Sequence, residues 1–327
     1  MDTQPAVMVY EAFAEEEASL RRHLPADLLV RYTWRTVQES GDSLPLAPVV
    51  SIRTQSVMPA GWARHLRAIL SRSTGYDHLA AYRAAAGATD LQYGYLPLYC
   101  NRAVAEHAMM LWMALLRRLP RQVRQFTRFH RDGLTGGECR GRTLVVVGVG
   151  NIGHEVVDIG RALGMTVLGI DPVRRWEDVA YASYAGAAPR ADVVVAAMDL
   201  NSSSRGFFDP GRLGQLKRGG LFVNVARGEL ADAAALLAAL DTGHLAGVGL
   251  DVYDQEPELA VALRAGRAQG PPSAAVDAVL ALARRDDVVC TPHNAFNTAE
   301  SVERKSAQSA QQLEHLRRTG SFLWSVP

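Results

Sequence analysis

Short apolar runs recur through the first hundred residues, at 7–10, 28–32, 49–53 and 68–70, with a weaker one at 91–95. Between them, 15–23 and 61–66 carry the mixed spacing of helices. Strands alternating with helices predict a small α/β domain whose parallel sheet is covered on both faces. From Arg102 to about His130 the pattern becomes one long helical stretch. Its broad apolar face of Met109, Met110, Trp112, Met113, Leu115 and Leu116 reads as core or subunit packing rather than a cofactor contact. Gly133, Gly136 and Gly137 end it, and a second α/β series begins. Its strands are expected at 144–147, 166–170, 193–197, 221–225, 247–252 and 288–291, and its helices at 152–163, 209–217 and 230–240. Residues 260–285 read as an irregular insertion containing Gly270-Pro271-Pro272-Ser273 and then a short helical run. Residues 298–318 read as a polar helix. The two series share a style but no sequence repeat.

A length of 327 residues suits two domains, and 48% hydrophobic with 21% charged residues can fill two cores. The formal charge is only +1, without a basic stripe, so no nucleic-acid partner is expected. Cys100, Cys139 and Cys290 lie too far apart for metal-ligand spacing, and so sparse a count suits a reducing compartment. The start of the chain lacks the pattern of a signal peptide, and the apolar stretch near 109–119 is shorter than the roughly 20 residues of a membrane span. A cytoplasmic protein without membrane attachment is expected.

The strongest chemical signal is Gly148-Val149-Gly150-Asn151-Ile152-Gly153, which follows an apolar strand and opens a helix. In that setting the first glycine permits the tight turn, the second lets backbone approach a pyrophosphate, and the third lets helix and strand pack closely. The helix start, at Asn151 and Ile152, offers N–H groups and a positive dipole end. Asp171 ends the next strand, where a carboxylate can accept from ribose hydroxyls and repel a 2′-phosphate. NAD is therefore expected over NADP, although Arg174 and Arg175 close by could neutralise such a phosphate.

Three polar residues follow later strands, on the side where doubly wound sheets bind ligands. They are Arg227, Glu256 and His293. An Arg fork can hold the paired oxygens of a 2-oxo acid and polarise its carbonyl. A His can exchange a proton with the carbonyl oxygen in both directions, and a carboxylate partner orients the ring and favours its protonated form. Taken singly, each has a bland reading as a turn, a solvated loop or a structural His; together they point to hydride-transfer chemistry.

These residues sit within a longer ordered set of motifs. They are Gly75-Tyr76-Asp77-His78, Ala103-Val104-Ala105-Glu106-His107, the glycine turn with Asp171, Asn224-Val225-Ala226-Arg227-Gly228-Glu229, Gly249-Leu250-Asp251-Val252-Tyr253 with Glu256-Pro257, and Thr291-Pro292-His293. From about Leu70 onward the chain resembles the D-2-hydroxyacid dehydrogenases, and within them the D-lactate dehydrogenase branch. The resemblance implies an α/β fold of two doubly wound parallel-sheet domains. A Rossmann NAD-binding domain, residues 102–297, would be inserted into a flavodoxin-like substrate domain, residues 1–101 and 298–327. It implies Arg227 as the substrate-binding Arg, His293 as acid/base and Glu256 as its partner. Asp251 would support the site near the nicotinamide, with Ala226 among the cofactor contacts. Backbone N–H groups around Thr74, Gly75 and Tyr76 would hold the substrate carboxylate, and Tyr99 would stand near the active site; apart from the resemblance, the loop Arg53-Thr54-Gln55-Ser56 and Phe296 are expected to line the pocket for the substrate's side chain. The resemblance further implies a homodimer built on the cofactor domain, which would account for the apolar face at 109–116. The chain departs from the pattern at Cys100-Asn101, at Ala80 and in the long stretch from Glu256 to His293 with its arginines.

The expected activity is interconversion of a 2-oxo acid and a D-2-hydroxy acid, pyruvate and D-lactate or a somewhat larger pair. Glyoxylate or hydroxypyruvate reduction and phosphoglycerate oxidation are alternatives, and an NAD-sensing regulator of the corepressor type is an alternative of another class.

Overall fold

The computed structural model describes residues 5–87, 90–266 and 273–327. The chain divides into two compact units, Met1–Cys100 with Asn297–Pro327, and Asn101–Phe296. Both are α/β units built on all-parallel sheets.

The first unit has five strands: β1 (Val7–Val9), β2 (Val30–Tyr32), β3 (Val49–Ile52), β4 (Ala68–Ser71) and β5 (Gln92–Gly94). Their order is β2-β1-β3-β4-β5, the flavodoxin-type winding. β3 and β4 are buried at every position, which is why they read as continuous apolar runs. The exposed edge of β5 is covered by the end of the chain. Gly94 bridges Ser325, Val326 N–H donates to the Tyr93 carbonyl, and a Cβ on Gly94 would lie 2.6 Å from the Phe322 ring. The expected helix at 61–66 is a 3-10 helix, Ala60–His65. A further helix, Asp77–Ala86, starts directly after the Gly75-Tyr76 motif and ends at left-handed Gly87.

The C-terminal helix Ala299–Thr319 is capped by the Thr298 side chain, which accepts from Ser301 N–H, and stops at left-handed Gly320. Its buried face is unusually polar: Ser301, Lys305, Ser306, Ser309 and Gln312 are buried together with Val302, Leu313 and Leu316.

The second unit has six strands: β6 (Thr143–Val147), β7 (Thr166–Ile170), β8 (Val193–Ala196), β9 (Gly220–Asn224), β10 (Leu245–Leu250) and β11 (Val288–Cys290). They are ordered β11-β10-β9-β8-β6-β7. The usual dinucleotide-binding winding has one more strand beyond β7. Here it is reduced to a single parallel bridge between Gly169 and Tyr181, flanked by the Gly169 N–H to Ala180 carbonyl and Ala182 N–H to Gly169 carbonyl bonds.

The long helix expected from Arg102 to His130 is two helices, Asn101–Leu116 and Leu119–Gln125, parted at left-handed Arg118. Pro120 causes the break, because it has no N–H to donate and its ring would clash with the Leu116 carbonyl. That freed carbonyl accepts from Gly137 N–H at 2.9 Å instead. The apolar face at 109–116 also resolves into two parts. Leu111, Trp112, Leu115 and Leu116 are buried within the unit, and Met110 is exposed.

Two further expectations change. The helix expected at 209–217 spans only Pro210–Gly214. The start of the insertion is helical rather than irregular, as Glu256–Arg264, whose Leu259 is buried, while the helical run expected after Ser273 is present as Ala274–Ala283. Arg267 and Gly270-Pro271-Pro272 lie outside the described residues. Among the described residues no helix is long and apolar enough to cross a membrane.

Candidate active site

The glycine turn shows in its packing why each glycine stands where it does. Gly148 has φ +90°, and a Cβ there would fall 2.4 Å from the Met198 backbone. A Cβ on Gly153 would fall 2.0 Å from the Gly148 carbonyl oxygen. Gly150 is different: nothing lies within 4 Å of its Cβ position, so the backbone there faces open space. Helix Asn151–Ala162 begins at this point, and the N–H groups of Asn151, Ile152 and Gly153 belong to its first turn, which has no intrahelical acceptors. The turn thus fits a phosphate group approached by bare backbone.

Asp171 sits at the rim of this turn. Its Oδ2 accepts from Val149 N–H at 2.7 Å and its Oδ1 from Val173 N–H at 2.8 Å, which fixes the carboxylate while leaving each oxygen further acceptor capacity. Trp176, which the sequence reading did not single out, donates its indole N–H to the Val149 carbonyl at 2.9 Å and stacks on His154 at 4.0 Å between ring centroids. Arg175 lies over the Trp176 ring.

Arg227 follows β9 on a turn that Asn224 builds. The fully buried Asn224 side chain donates to the Arg227 carbonyl at 2.8 Å and accepts from Ala226 N–H at 3.1 Å. Gly228 then presses against the chain after β10, where a Cβ would lie 1.8 Å from the Tyr253 carbonyl carbon. Directly after Asp254, Gln255 adopts φ 53°, and Glu256 then opens its helix. The Arg227 turn and the approach to Glu256 are therefore packed backbone to backbone.

His293 follows β11, itself at φ 51°, where a non-glycine residue is uncommon. Its Nδ1 lies 2.6 Å from Glu256 Oε1. With Nδ1–H donated to the carboxylate, Nε2 is left on the opposite edge of the ring to give or take a proton. The strained backbone at His293 is held from below by Asp251. That carboxylate is fully buried and accepts from Asn294 N–H and Ala295 N–H at 2.8 Å each and from the Thr291 hydroxyl at 2.6 Å. His107 Nε2 meets the same Thr291 hydroxyl at 2.9 Å. Burial pushes the His107 ring below its usual range, against the pull of Asp251. Phe296, the last residue of this unit, is buried.

In the first unit the loop 73–76 leaves β4 and enters helix Asp77–Ala86. Ser73 Oγ donates to the Gly75 carbonyl at 2.7 Å, Ser71 Oγ lies 2.6 Å from Ser73 Oγ, and His78 Nε2 lies 2.8 Å from Ser71 Oγ. The Thr74 hydroxyl lies 3.5 Å from Cys100 Sγ, and the Tyr76 ring meets Tyr95 edge-on. Tyr99 is buried, with its hydroxyl 3.5 Å from the Arg72 carbonyl. The loop at 53–56 is anchored by Glu11, whose carboxylate accepts from Arg53, Gln55 and Ser56 N–H groups. Nothing in the sequence marked Glu11, because it acts on backbone brought to it by the fold; Asn224, which opens the Asn224–Glu229 motif, acts on backbone only two and three residues away.

Comparison with known proteins identifies the family of the chain. Residues 109–295 match the family described as D-isomer specific 2-hydroxyacid dehydrogenase, NAD binding domain. A 2-hydroxyacid dehydrogenase A of Aspergillus oryzae is 30% identical over 321 residues, 93% of this chain and 89% of that protein. A D-3-phosphoglycerate dehydrogenase of Bacillus subtilis is 31% identical over 218 residues, 64% of this chain but only 38% of that longer protein. The crystal structure of D-lactate dehydrogenase from Aquifex aeolicus, complexed with NAD and lactic acid, superposes with a TM-score of 0.81 at 25% identity, covering 97% of this chain and 98% of that one.

Proposed function

This chain belongs to the NAD-dependent D-isomer specific 2-hydroxyacid dehydrogenases, and on that premise we propose that it interconverts pyruvate, or a somewhat larger 2-oxo acid, with the matching D-2-hydroxy acid. The observation that carries the reading is the 2.6 Å pairing of His293 Nδ1 with Glu256 Oε1, with the Arg227 turn packed against the chain just before Glu256. NADH, when bound, supplies the hydride that adds to the carbonyl carbon. His293 Nε2 gives the balancing proton to the carbonyl oxygen, and takes it back in the oxidative direction. Glu256 keeps the ring in the tautomer this requires and stabilises its protonated form. Arg227 grips the carboxylate and carbonyl oxygens through its guanidinium fork. Asp251 holds the His293 backbone in place.

Gly148, Gly150, Asn151, Ile152 and Gly153 are assigned to the pyrophosphate, Asp171 to the adenosine ribose, and Ala226 to the nicotinamide side. Thr74, Gly75 and Tyr76 are assigned by resemblance to the substrate carboxylate, with Tyr99 and Phe296 shaping the room for the substrate's side chain. A lactate-type substrate is taken from likeness in fold to the lactate enzyme, and the inclusion of phosphoglycerate in the substrate panel separates it from a phosphorylated one. A homodimer through the NAD-binding unit is also proposed. Met110, Leu119, Val123, Phe126 and Phe129 leave apolar surface exposed along one run of that unit, more than an isolated surface needs.

The deciding experiment follows NADH consumption with glyoxylate, pyruvate, 2-oxoisocaproate, phenylpyruvate, hydroxypyruvate and, in the oxidative direction, phosphoglycerate. Best turnover with an unphosphorylated 2-oxo acid, giving the D product, is the expected result. NADH binding without turnover across the panel would instead favour an NAD-sensing regulator.

A further inference from the structure

The first unit buries three charged side chains that this chemistry does not use. Glu16 on helix Ala14–His23, Arg72 directly after β4, and Lys305 on the C-terminal helix are 0%, 1% and 0% exposed. A single oxygen, Glu16 Oε1, meets both Arg72 Nε at 2.9 Å and Lys305 Nζ at 2.6 Å. Arg72 also donates from Nη1 to Ser51 Oγ at 2.9 Å and from Nη2 to the Tyr10 carbonyl at 2.6 Å. Burying charge is costly, and apolar residues of similar volume often serve stability as well. Two cations on one carboxylate leave a net positive charge inside the unit.

The place of that charge is informative. Arg72 immediately precedes the loop 73–76, and its carbonyl lies 3.5 Å from the Tyr99 hydroxyl. The Tyr99 carbonyl accepts from Arg304 Nε at 2.8 Å and from Ser301 Oγ at 3.3 Å. Lys305 Nζ lies 5.8 Å from the Tyr99 ring centroid and 5.9 Å from that of Phe13. One turn of the C-terminal helix thus supports Tyr99 and, through Glu16, the residue from which the loop springs.

We propose that Lys305 is a positioning residue for substrate: its buried ammonium, joined to Glu16 and Arg72, sets the geometry and positive potential behind the 73–76 loop and Tyr99, and makes 2-oxo acid affinity depend on its protonation. This rests on the assignment of 73–76 to the substrate carboxylate. The groups facing Lys305 are Glu16 from the first helix, Arg72 behind β4, Arg53 behind β3 and the Tyr99 phenol. Burial pushes the ammonium down to about 7, with Glu16 opposing and Arg53 and Arg72 adding to the fall. Burial would raise Glu16, but Arg72, Lys305 and Arg53 outweigh it and hold the carboxyl at about 2. Burial drives Tyr99 well above its ordinary value, so the phenol stays neutral. Lys305 is then the member of the set that changes charge near neutrality. Its proton loss removes the net positive charge and weakens the hold on an anion nearby.

The test is steady-state kinetics of the full chain with its best 2-oxo acid, from roughly pH 6 to pH 8.5, for wild type, Lys305→Met and Lys305→Arg. Wild-type KM should rise across this range. Lys305→Met should start with a KM about tenfold higher at the acid end and lose the lysine-linked rise. Lys305→Arg should keep the low KM to the alkaline end, because a guanidinium does not deprotonate there. Both variants should keep kcat and NADH affinity within about twofold of wild type, since an effect confined to ground-state substrate binding moves KM alone. Met fills most of the lysine's volume and leaves Glu16 paired with Arg72, and melting curves check that it folds. A Lys305→Met enzyme with wild-type KM at every pH overturns the proposal, as does loss of kcat in both variants in step with lowered Tm. A wild-type protein that binds NADH but reduces no 2-oxo acid overturns the functional reading itself, and this inference with it; wild-type turnover therefore tells the two failures apart.

Discussion

His293 and Glu256, 37 positions apart, meet at 2.6 Å through two left-handed turns, one at His293 itself and the other at Gln255 just before Glu256. Non-glycine residues adopt this backbone only when their surroundings impose it. Asp251 imposes it on one side, through the N–H groups of Asn294 and Ala295, and the close backbone contact at Gly228 helps fix the other. His293→Gln should lower kcat by about 10² to 10⁴-fold while leaving NADH affinity intact. Glu256→Gln, which keeps a hydrogen-bond acceptor but loses the charge, should cost less than His293→Gln. Single-turnover rates with NADH fluorescence titration measure both; a His293→Gln enzyme with wild-type kcat would remove His293 from the chemistry.

Gly228→Ala is expected to be among the most damaging single-methyl changes in the second unit. Its Cβ would sit 1.8 Å from backbone, which cannot swing aside as a side chain would. Overpacking of this kind costs about 1–3 kcal/mol, and the shift would displace Arg227 and the approach to Glu256 together. Thermal melting and kcat/KM should fall in concert. Gly150→Ala, where the added Cβ meets open space, should spare Tm and instead raise the NADH Kd.

Asp171→Ser should weaken NADH binding by about tenfold and narrow the preference against NADPH, because the ribose loses an acceptor and a 2′-phosphate loses a repelling charge. Both affinities can be read by fluorescence titration. Unchanged NADH binding would mean that the carboxylate serves only the Val149 and Val173 N–H groups it already meets.

Stability should depend on pH through the buried cluster, in two windows. Glu16 has its folded value lowered to about 2 from 4.5, so its contribution is present above 4.5 and lost as pH falls toward 2. Lys305 has its folded value lowered to about 7 from 10.5. Between those values the unfolded chain binds a proton that the folded chain does not, so this group makes stability rise with pH. Denaturant melts of wild type and Lys305→Met should diverge in their pH slope above neutrality, with the rise absent in the variant.

Phe126→Arg combined with Phe129→Arg should turn a dimer into a monomer, as measured by light scattering on a sizing column. Both rings are largely exposed, so the folded monomer loses little and the change reports on association. A wild-type protein already monomeric at high concentration would refute a dimer through this surface.

Much of the fold is written locally. Buried parallel strands leave continuous runs such as Val193-Val194-Val195-Ala196, and the turn at Gly148 announces itself because no other residue type suits both its backbone angle and its contact with Met198. The breaks and exceptions were harder to read. Pro120 splits a stretch that looks like one helix, and the start of the insertion is the helix Glu256–Arg264 where irregular chain was expected. Pro120 ends the first helix by its own ring, but the Gly137 N–H that takes up the freed Leu116 carbonyl, like the core that buries Leu259 of the second, comes from elsewhere in the unit.

The candidate chemistry divides along the same line. Which residue types stand after which strands is legible along the chain, since the parallel α/β pattern directs every strand end to one side of its sheet: Asp171, Arg227 and His293 could be named from that rule alone. Only the tertiary structure decided what holds them. Asp251 collecting the N–H groups around His293, Glu11 gathering the 53–56 loop, and Glu16 shared between Arg72 and Lys305 are contacts between distant segments. Local periodicity records whether a position is buried, but a buried polar atom must find its partner in three dimensions, and that partner leaves no mark on neighbouring residues.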